Sequence, residues 1–307
     1  MRVALGRTEL QVHPLCLGGN VFGWSANAAQ SQEVLSAYES AGGNFIDTAD
    51  MYSRWHTGNV GGESETIIGD WMKARGNRSE MVIATKVAKL ATRPGLSAAN
   101  IAAAAEDSLR RLGTDYIDIY YAHHDDEETP LEESLTAFNE LVTAGKVRYL
   151  AASNYSATRL EKALKISRDL GMSEYLLLQP NYNAIVRNEY EDDLMAVAVK
   201  EDIPVLPYFS LAAGFLTGKY QPGVEVDSVR AGDMPEFKNE RGWAILNALT
   251  EIAQQENTSI AAVALGWLRA QPGVVTPIAS ARTPEQLAEI LPTVELSAEQ
   301  VAKVNAL

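Results

Sequence analysis

The sequence predicts an α/β fold: a (β/α)8 TIM barrel with an N-terminal β-hairpin and extra C-terminal helices. Eight short runs are near-continuously apolar, as parallel strands covered on both faces require. Amphipathic helical patterns with capping residues fill the intervals between them. The alternation occupies about 280 residues, the size of one such barrel, so the 307-residue chain reads as a single domain, 1–307. A doubly wound sheet needs a glycine-rich phosphate turn after its first strand. The segment "GGNVFGW" carries Gly18, Gly19 and Gly23 but lacks the GxGxxG spacing.

In chain order, residues 1–13 read as a short hairpin turning at "GRTE" and capping the barrel floor. The strands are "PLCLG" (14–18), "NFIDT" (44–48), "MVIATK" (81–86), "YIDIYYAH" (116–123), "VRYLAAS" (147–153), "YLLLQ" (175–179), "IPVLPY" (203–208) and "VVTPIA" (274–279). Helix 96–113 has Ser97 as N-cap and stops at Gly113, and helix 130–146 has Pro130 early and Gly145 late. Helix 156–171 begins at Ser156, and helix 283–291 has Thr283 as cap with Gln286 three residues on. Segments 258–271 and 297–307 are further amphipathic helices, and 214–240 is a long polar, glycine-containing insertion.

The formal net charge of −14 argues against nucleic acid and against anionic membrane surfaces as partners. Cys16, the single cysteine, has no partner for an internal disulfide and reads as a buried structural thiol. The N-terminus lacks the apolar core of a signal peptide, and no apolar run approaches the roughly 20 residues that span a bilayer. A cytoplasmic protein is the expectation.

In barrels of this kind chemistry sits at the C-terminal ends of the strands. Six successive strands end on polar residues: Asp47 (with Tyr52 just beyond), Lys86, His123, Ser153 with Asn154, Gln179, and Tyr208. Side chains alternate along a strand, so Phe45 shares a face with Asp47, Ala84 with Lys86, and Tyr121 with His123. If those faces line the barrel, a lysine and a carboxylate converge near its axis, where each needs the other. A metal reading of "HHDD" (123–126) is weakened by the same alternation, which sends His123 and His124 to opposite faces.

The motifs "GGNFIDTADMY", "GGESETIIG", "IATK", "LGTDYIDIYYAHH", "GKVRYLAASNYS", "LLLQPNYN", "PYFSLAAGFLTGKY" and "SARTPEQLAE" occur in this order. On these the chain resembles the aldo-keto reductase family along essentially its whole length. It is most similar to the bacterial branch that shares "GxSE" motifs with potassium-channel β-subunits. The resemblance implies a metal-free reduction of a small aldehyde or ketone with NADPH, carried by Asp47, Tyr52, Lys86 and His123. A phenol of ordinary pKa near 10 is a poor acid at neutral pH. Lys86 would favour its anion, Asp47 would hold Lys86 charged, and His123 would orient the carbonyl.

By the same resemblance Ser153, Asn154 and Gln179 bind the nicotinamide carboxamide and Tyr208 stacks on its ring. Leu211, Gly214, Leu216 and Lys219 follow the pyrophosphate, and Ser280, Arg282, Gln286 and Glu289 meet the adenosine end. Alternatives stay open: Ser153 and Asn154 also suit the cap of the helix from Ser156, and Gln286 suits a capping-box partner. Phe22, Trp24, Trp55 and His124 are candidates for the substrate wall. Tyr121–Ala122, Phe209–Ser210, Ser280 and Ile290 depart from the residues common in the family at those places. A cofactor-sensing regulatory subunit that binds a partner protein is the alternative function. The oligomeric state and the substrate stay open.

Overall fold

The computed structural model describes residues 2–220 and 237–307. Seven parallel strands form one sheet. They are β3 (Cys16–Gly18), β4 (Phe45–Asp47), β5 (Val82–Val87), β6 (Ile117–Ala122), β7 (Val147–Ser153), β8 (Tyr175–Gln179) and β9 (Ile278–Ala279). Their spatial order is β8-β7-β6-β5-β4-β3-β9. The remaining stave, the seventh in chain order, at 203–208, pairs only by bridges, Val205 to Leu178 on one side and to Val274 on the other. Leu206 N–H donates to Leu178 O, and Val275 N–H donates to Val205 O, so this segment closes the ring. Pro204 and Pro207 have no N–H to give, which is why the stave is not a continuous strand. The (β/α)8 architecture is thus present, with its seventh stave weaker than the sequence expectation of a regular strand.

The interior of the barrel is a small cluster of its own. Cys16, Phe45, Ala84, Tyr121, Ala151, Leu177, Leu206 and Ile278 pack there, one from each stave. Leu5, Leu10 and Val12 join them from below. Leu5 and Leu10 lie between the antiparallel strands β1 (Val3–Ala4) and β2 (Gln11–Val12) and Val12 lies within β2, so the hairpin plugs the floor as expected. Cys16 is buried inside, and burial raises its thiol pKa well above the ordinary value, leaving it inert.

Outside the ring, α1 (Ala28–Ser40), α2 (Glu63–Arg75), α3 (Ala98–Leu112), α4 (Leu131–Thr143) and α5 (Ala157–Asp169) cover the sheet in turn. They are followed by the short α6 (Asn188–Glu191) and α7 (Leu194–Lys200), and by α8 (Glu240–Gln255), α9 (Ile260–Arg269), α10 (Pro284–Ile290) and α11 (Ala298–Asn305). Their boundaries follow local chemistry. The side chains of Ser97, Ser156, Thr283 and Ser297 each accept a backbone N–H three residues on. Gly113 ends α3 at φ 62, a left-handed angle that glycine takes without strain. Among the described residues no helix is long and apolar enough to cross a membrane. Of the insertion 214–240, residues 221–236 lie outside the described residues.

Candidate active site

Side chains two residues beyond the interior cluster share its face. That rule carries the ring upward by one layer, to Gly18, Asp47, Lys86, His123, Ser153, Gln179, Tyr208 and Ser280. All of these except Lys86 line a single cavity of about 800 Å³ at the C-terminal end of the strands. Lys86 lies beneath the floor, with no exposed surface.

Lys86 Nζ donates to Asp47 Oδ2 at 2.6 Å, to Thr48 O at 2.7 Å and to Tyr52 Oη at 3.0 Å. An ammonium has three protons, and all three are used. Asp47 Oδ2 also accepts the Tyr52 hydroxyl at 3.2 Å, and Asp47 Oδ1 accepts Gln179 Nε2 at 2.9 Å. Burial lowers the Lys86 pKa, and Asp47 works against that by favouring the charged form. The expectation for Tyr52 is modified here. Burial first, and Asp47 second, push its pKa well above 10, so the resting phenol keeps its proton. The Lys86 contact therefore matters for the anion that forms when that proton leaves.

His123 sits across the cavity, its ring centroid 6.0 Å from that of Tyr52. Burial, with help from Lys86 and Lys89, holds its pKa well below the ordinary value. It is a neutral imidazole with one N–H to donate, and its Nδ1 has no hydrogen-bond partner. The "HHDD" segment is otherwise consumed structurally. His124 Nδ1 contacts the Asp125 carbonyl, Asp125 pairs with Arg159, and Asp126 binds Leu96 N–H and Thr129 Oγ1. Among the described residues no group of three or more His, Cys, Asp or Glu is gathered as a metal would need.

The neighbouring strand tops form a second chain of bonds. Ser153 Oγ donates to Gln179 O at 2.8 Å, and Asn154 Nδ2 donates to His123 O at 2.8 Å. Tyr208 Oη donates to Asn154 Oδ1 at 2.7 Å. Neither Ser153 nor Asn154 caps the next helix, a role that Ser156 fills. Asn154 holds φ at 56, one of several left-handed non-glycine residues around the cavity. Phe209, Ala212 and Ala213 are others, at φ 52, 46 and 53, just before Gly214 at φ 96. Such strain costs roughly 1–3 kcal/mol per residue and concentrates where backbone meets a ligand.

Leu211, Gly214 and Lys219 line the cavity past Tyr208, and Arg282, Gln286 and Glu289 line its far end. Ser280 Oγ donates to Asn20 Oδ1 at 2.6 Å. Gln286 Oε1 accepts the Arg282 N–H at 3.0 Å, so it does support the start of α10 while still lining the cavity. Four expected site residues are placed elsewhere. Leu216 and Phe22 have no exposed surface and belong to the packing between sheet and helices. His124 lies outside the lining, as does Trp24, which meets Trp55 edge-to-face at 5.6 Å. Trp55 does line the cavity and is 44% exposed.

Sequence reasoning missed Gly18, Met51 and Lys89, all of which line the cavity. Gly18 was findable, because it stands two residues after Cys16. A Cβ on it would come within 2.6 Å of Ser280 Oγ. Met51 and Lys89 sit on loops, where no period marks the inward face.

A barrel with a buried lysine–carboxylate–phenol cluster at its strand tops, beside a long cleft, has the groups to give a proton to a small molecule held there. The Aldo/keto reductase family model matches residues 14–307, and the chain belongs to that family. It is 30% identical to a probable voltage-gated potassium channel subunit beta from Oryza sativa subsp. japonica, over 98% of this chain and 94% of that one. It is 32% identical to the uncharacterized oxidoreductase YrpG of Bacillus subtilis, over 96% and 91%. It is also 31% identical to an aryl-alcohol dehydrogenase of Phanerodontia chrysosporium whose name specifies NADP(+), over 96% and 82%. Family and relatives support an oxidoreductase acting on carbonyl compounds.

Proposed function

We propose that this protein reduces aldehydes or ketones to alcohols with NADPH, Tyr52 serving as the general acid. The observation that carries the reading is the placing of Lys86 Nζ, 2.6 Å from Asp47 and 3.0 Å from Tyr52, under the floor of the cavity. When bound, the reduced nicotinamide supplies a hydride to the carbonyl carbon. Negative charge then develops on the carbonyl oxygen, and a positioned acid must meet it. The Tyr52 hydroxyl gives up its proton there. Lys86 stabilises the phenolate left behind, and Asp47 fixes Lys86 and keeps it charged. His123, neutral, donates its N–H to the same oxygen and orients the substrate.

The fit to NADPH rests on the cavity itself. Ser153, Asn154, Gln179 and Tyr208 all line it; the first three would bind the carboxamide and Tyr208 would stack on the ring. The left-handed backbone from Ala212 to Gly214 lets the chain pass close to a pyrophosphate. Arg282, which makes no ion pair among the described residues, supplies positive charge for the 2′-phosphate. The expected setting is cytoplasmic and the partner a small-molecule carbonyl compound. The test is steady-state NADPH oxidation with a panel of aldehydes and ketones, on wild type and Tyr52→Phe.

A second reading is favoured by the relatives whose names are potassium channel beta subunits. In it the same site turns over slowly and a partner protein reads the cofactor's state. Brisk turnover with a reactive aldehyde favours the enzyme; tight NADPH binding with negligible turnover favours the sensor.

A further inference from the structure

The catalytic end of the cavity contains a cation that the reduction does not use. Lys89 lies three residues beyond Lys86 and lines the cavity with Met51, Tyr52 and Trp55. It makes no ion pair or side-chain hydrogen bond among the described residues. Two influences bear on its charge, its own partial burial and Lys86, and both disfavour it. No carboxylate offsets them, in a chain with 40 acidic and 26 basic residues. Lys89 is exposed to solvent at the cavity, so an anionic group entering beside Tyr52 can reach a cation that no neighbouring carboxylate already neutralises.

The backbone holds Lys89 there. Ala88, just before it, is fully buried at φ 118, an angle that alanine takes only under constraint. Its carbonyl is tied to Gly95 N–H at 2.9 Å. The cofactor's phosphates are not the obvious partner. The cavity's other cations are Lys219, whose Nζ lies beside Gly214, and Arg282 on the far side. Lys89 instead shares the cavity lining with Tyr52 and His123, and its charge helps to keep His123 neutral. On the same lining Trp55, in edge-to-face contact with Trp24 and with its ring centroid 6.1 Å from that of Tyr52, offers apolar surface.

We propose that the site selects carbonyl compounds carrying an anionic group, a carboxylate or a phosphate ester, which Lys89 binds while Trp55 covers the apolar part. This rests on carbonyl reduction at Tyr52 as proposed above, and it names the substrate class.

The test compares paired aldehydes that differ in charge: para-carboxybenzaldehyde against para-tolualdehyde, and glycolaldehyde phosphate against glycolaldehyde. In wild type the ratio of kcat/KM, anionic over neutral, should exceed one by roughly 10-fold in at least one pair, mostly through KM. The pair that shows it separates carboxylate from phosphate. Lys89→Met should bring that ratio to one or below, Lys89→Glu should invert it, and Lys89→Arg should keep most of it. A wild-type ratio at or below one in both pairs would overturn the proposal, as would an unchanged ratio in Lys89→Met. The neutral aldehydes separate the two levels. Their Tyr52-dependent reduction without charge selectivity sinks only this inference; no reduction of any aldehyde sinks carbonyl reduction and this inference together.

Discussion

The two ends of the cavity are built on different principles. At the catalytic end Asp47, Lys86 and Gln179 sit on the interior face of paired strands, and each is almost wholly buried. Every polar contact of Lys86 is to another fixed group. At the far end Arg282 and Gln286 sit half-exposed at the start of the seven-residue α10, and Glu289 is exposed. Their one described mutual bond, Gln286 to the Arg282 N–H, stays within that turn. The first end is organised before anything binds, which is what charge stabilisation in a reaction demands. The second can adjust, which suits holding a cofactor that must also leave.

The largest effect expected is at the rigid end. Tyr52→Phe should cut kcat by roughly 10²–10⁴-fold, the usual contribution of a positioned proton donor. NADPH affinity, read by fluorescence titration, should move little, since the phenol's bonds are to Asp47 and Lys86. Near-normal turnover would remove Tyr52 from the chemistry and erase the contrast between the ends.

A stability measurement sharpens the same contrast. Asp47→Asn leaves a fully buried Lys86 without its counter-charge. Breaking a buried pair typically costs about 3–5 kcal/mol, so urea unfolding at neutral pH should show a loss of that order. Adding Lys86→Met to Asp47→Asn should recover part of it. A double variant no more stable than the single one would show that the pair is not what holds this region.

Three residues from Asp47, Asp50 is its opposite. It is 1% exposed, and neither carboxylate oxygen has a hydrogen-bond partner. Burial, reinforced by Glu65 and only partly relieved by Arg111 and Arg93, raises its pKa to about 7 from 3.8. Between these values the folded protein holds a proton that the unfolded chain has released. Wild-type stability should therefore fall as pH rises through that window and level off above about 7. Asp50→Asn should remove this slope and be more stable than wild type above pH 7, by at most about 4 kcal/mol. Parallel stability–pH curves for the two proteins would contradict the assignment.

Legibility in the sequence followed periodicity. Strand alternation brought Asp47, Lys86, His123, Ser153, Gln179 and Tyr208 together because one residue's inward direction fixes that of the next but one. Where the chain leaves regular structure alternation gives no direction, and the candidates come from resemblance and residue type instead. Phe22 belongs to a tight turn, with Phe22 and Ala26 bridged, that drives its ring into the core. Leu216 falls in a kinked turn between Ala212 and Thr217 and packs inward likewise. Lys89 reaches the cavity through a strained alanine, which no residue pattern announces.

The smallest effect tests the adjustable end. NADPH differs from NADH by a 2′-phosphate, which needs positive charge or several donors. Arg282 lines the far end of the cavity, half-exposed, and among the described residues it makes no ion pair with Glu285, three residues on, or with any other carboxylate. Solvent screens a half-exposed charge, so its contribution stays modest. Glu289, on the helix that follows and also lining the cavity, opposes it. Arg282→Ala should raise the KM for NADPH by roughly 10-fold while leaving the KM for NADH nearly unchanged and kcat within a few-fold. High salt should narrow the wild-type preference in the same direction. Equal weakening of both cofactors, or a wild-type preference for NADH, would move the phosphate site away from Arg282. Lys219, the cavity's other cation past Tyr208, would then be the next candidate for it.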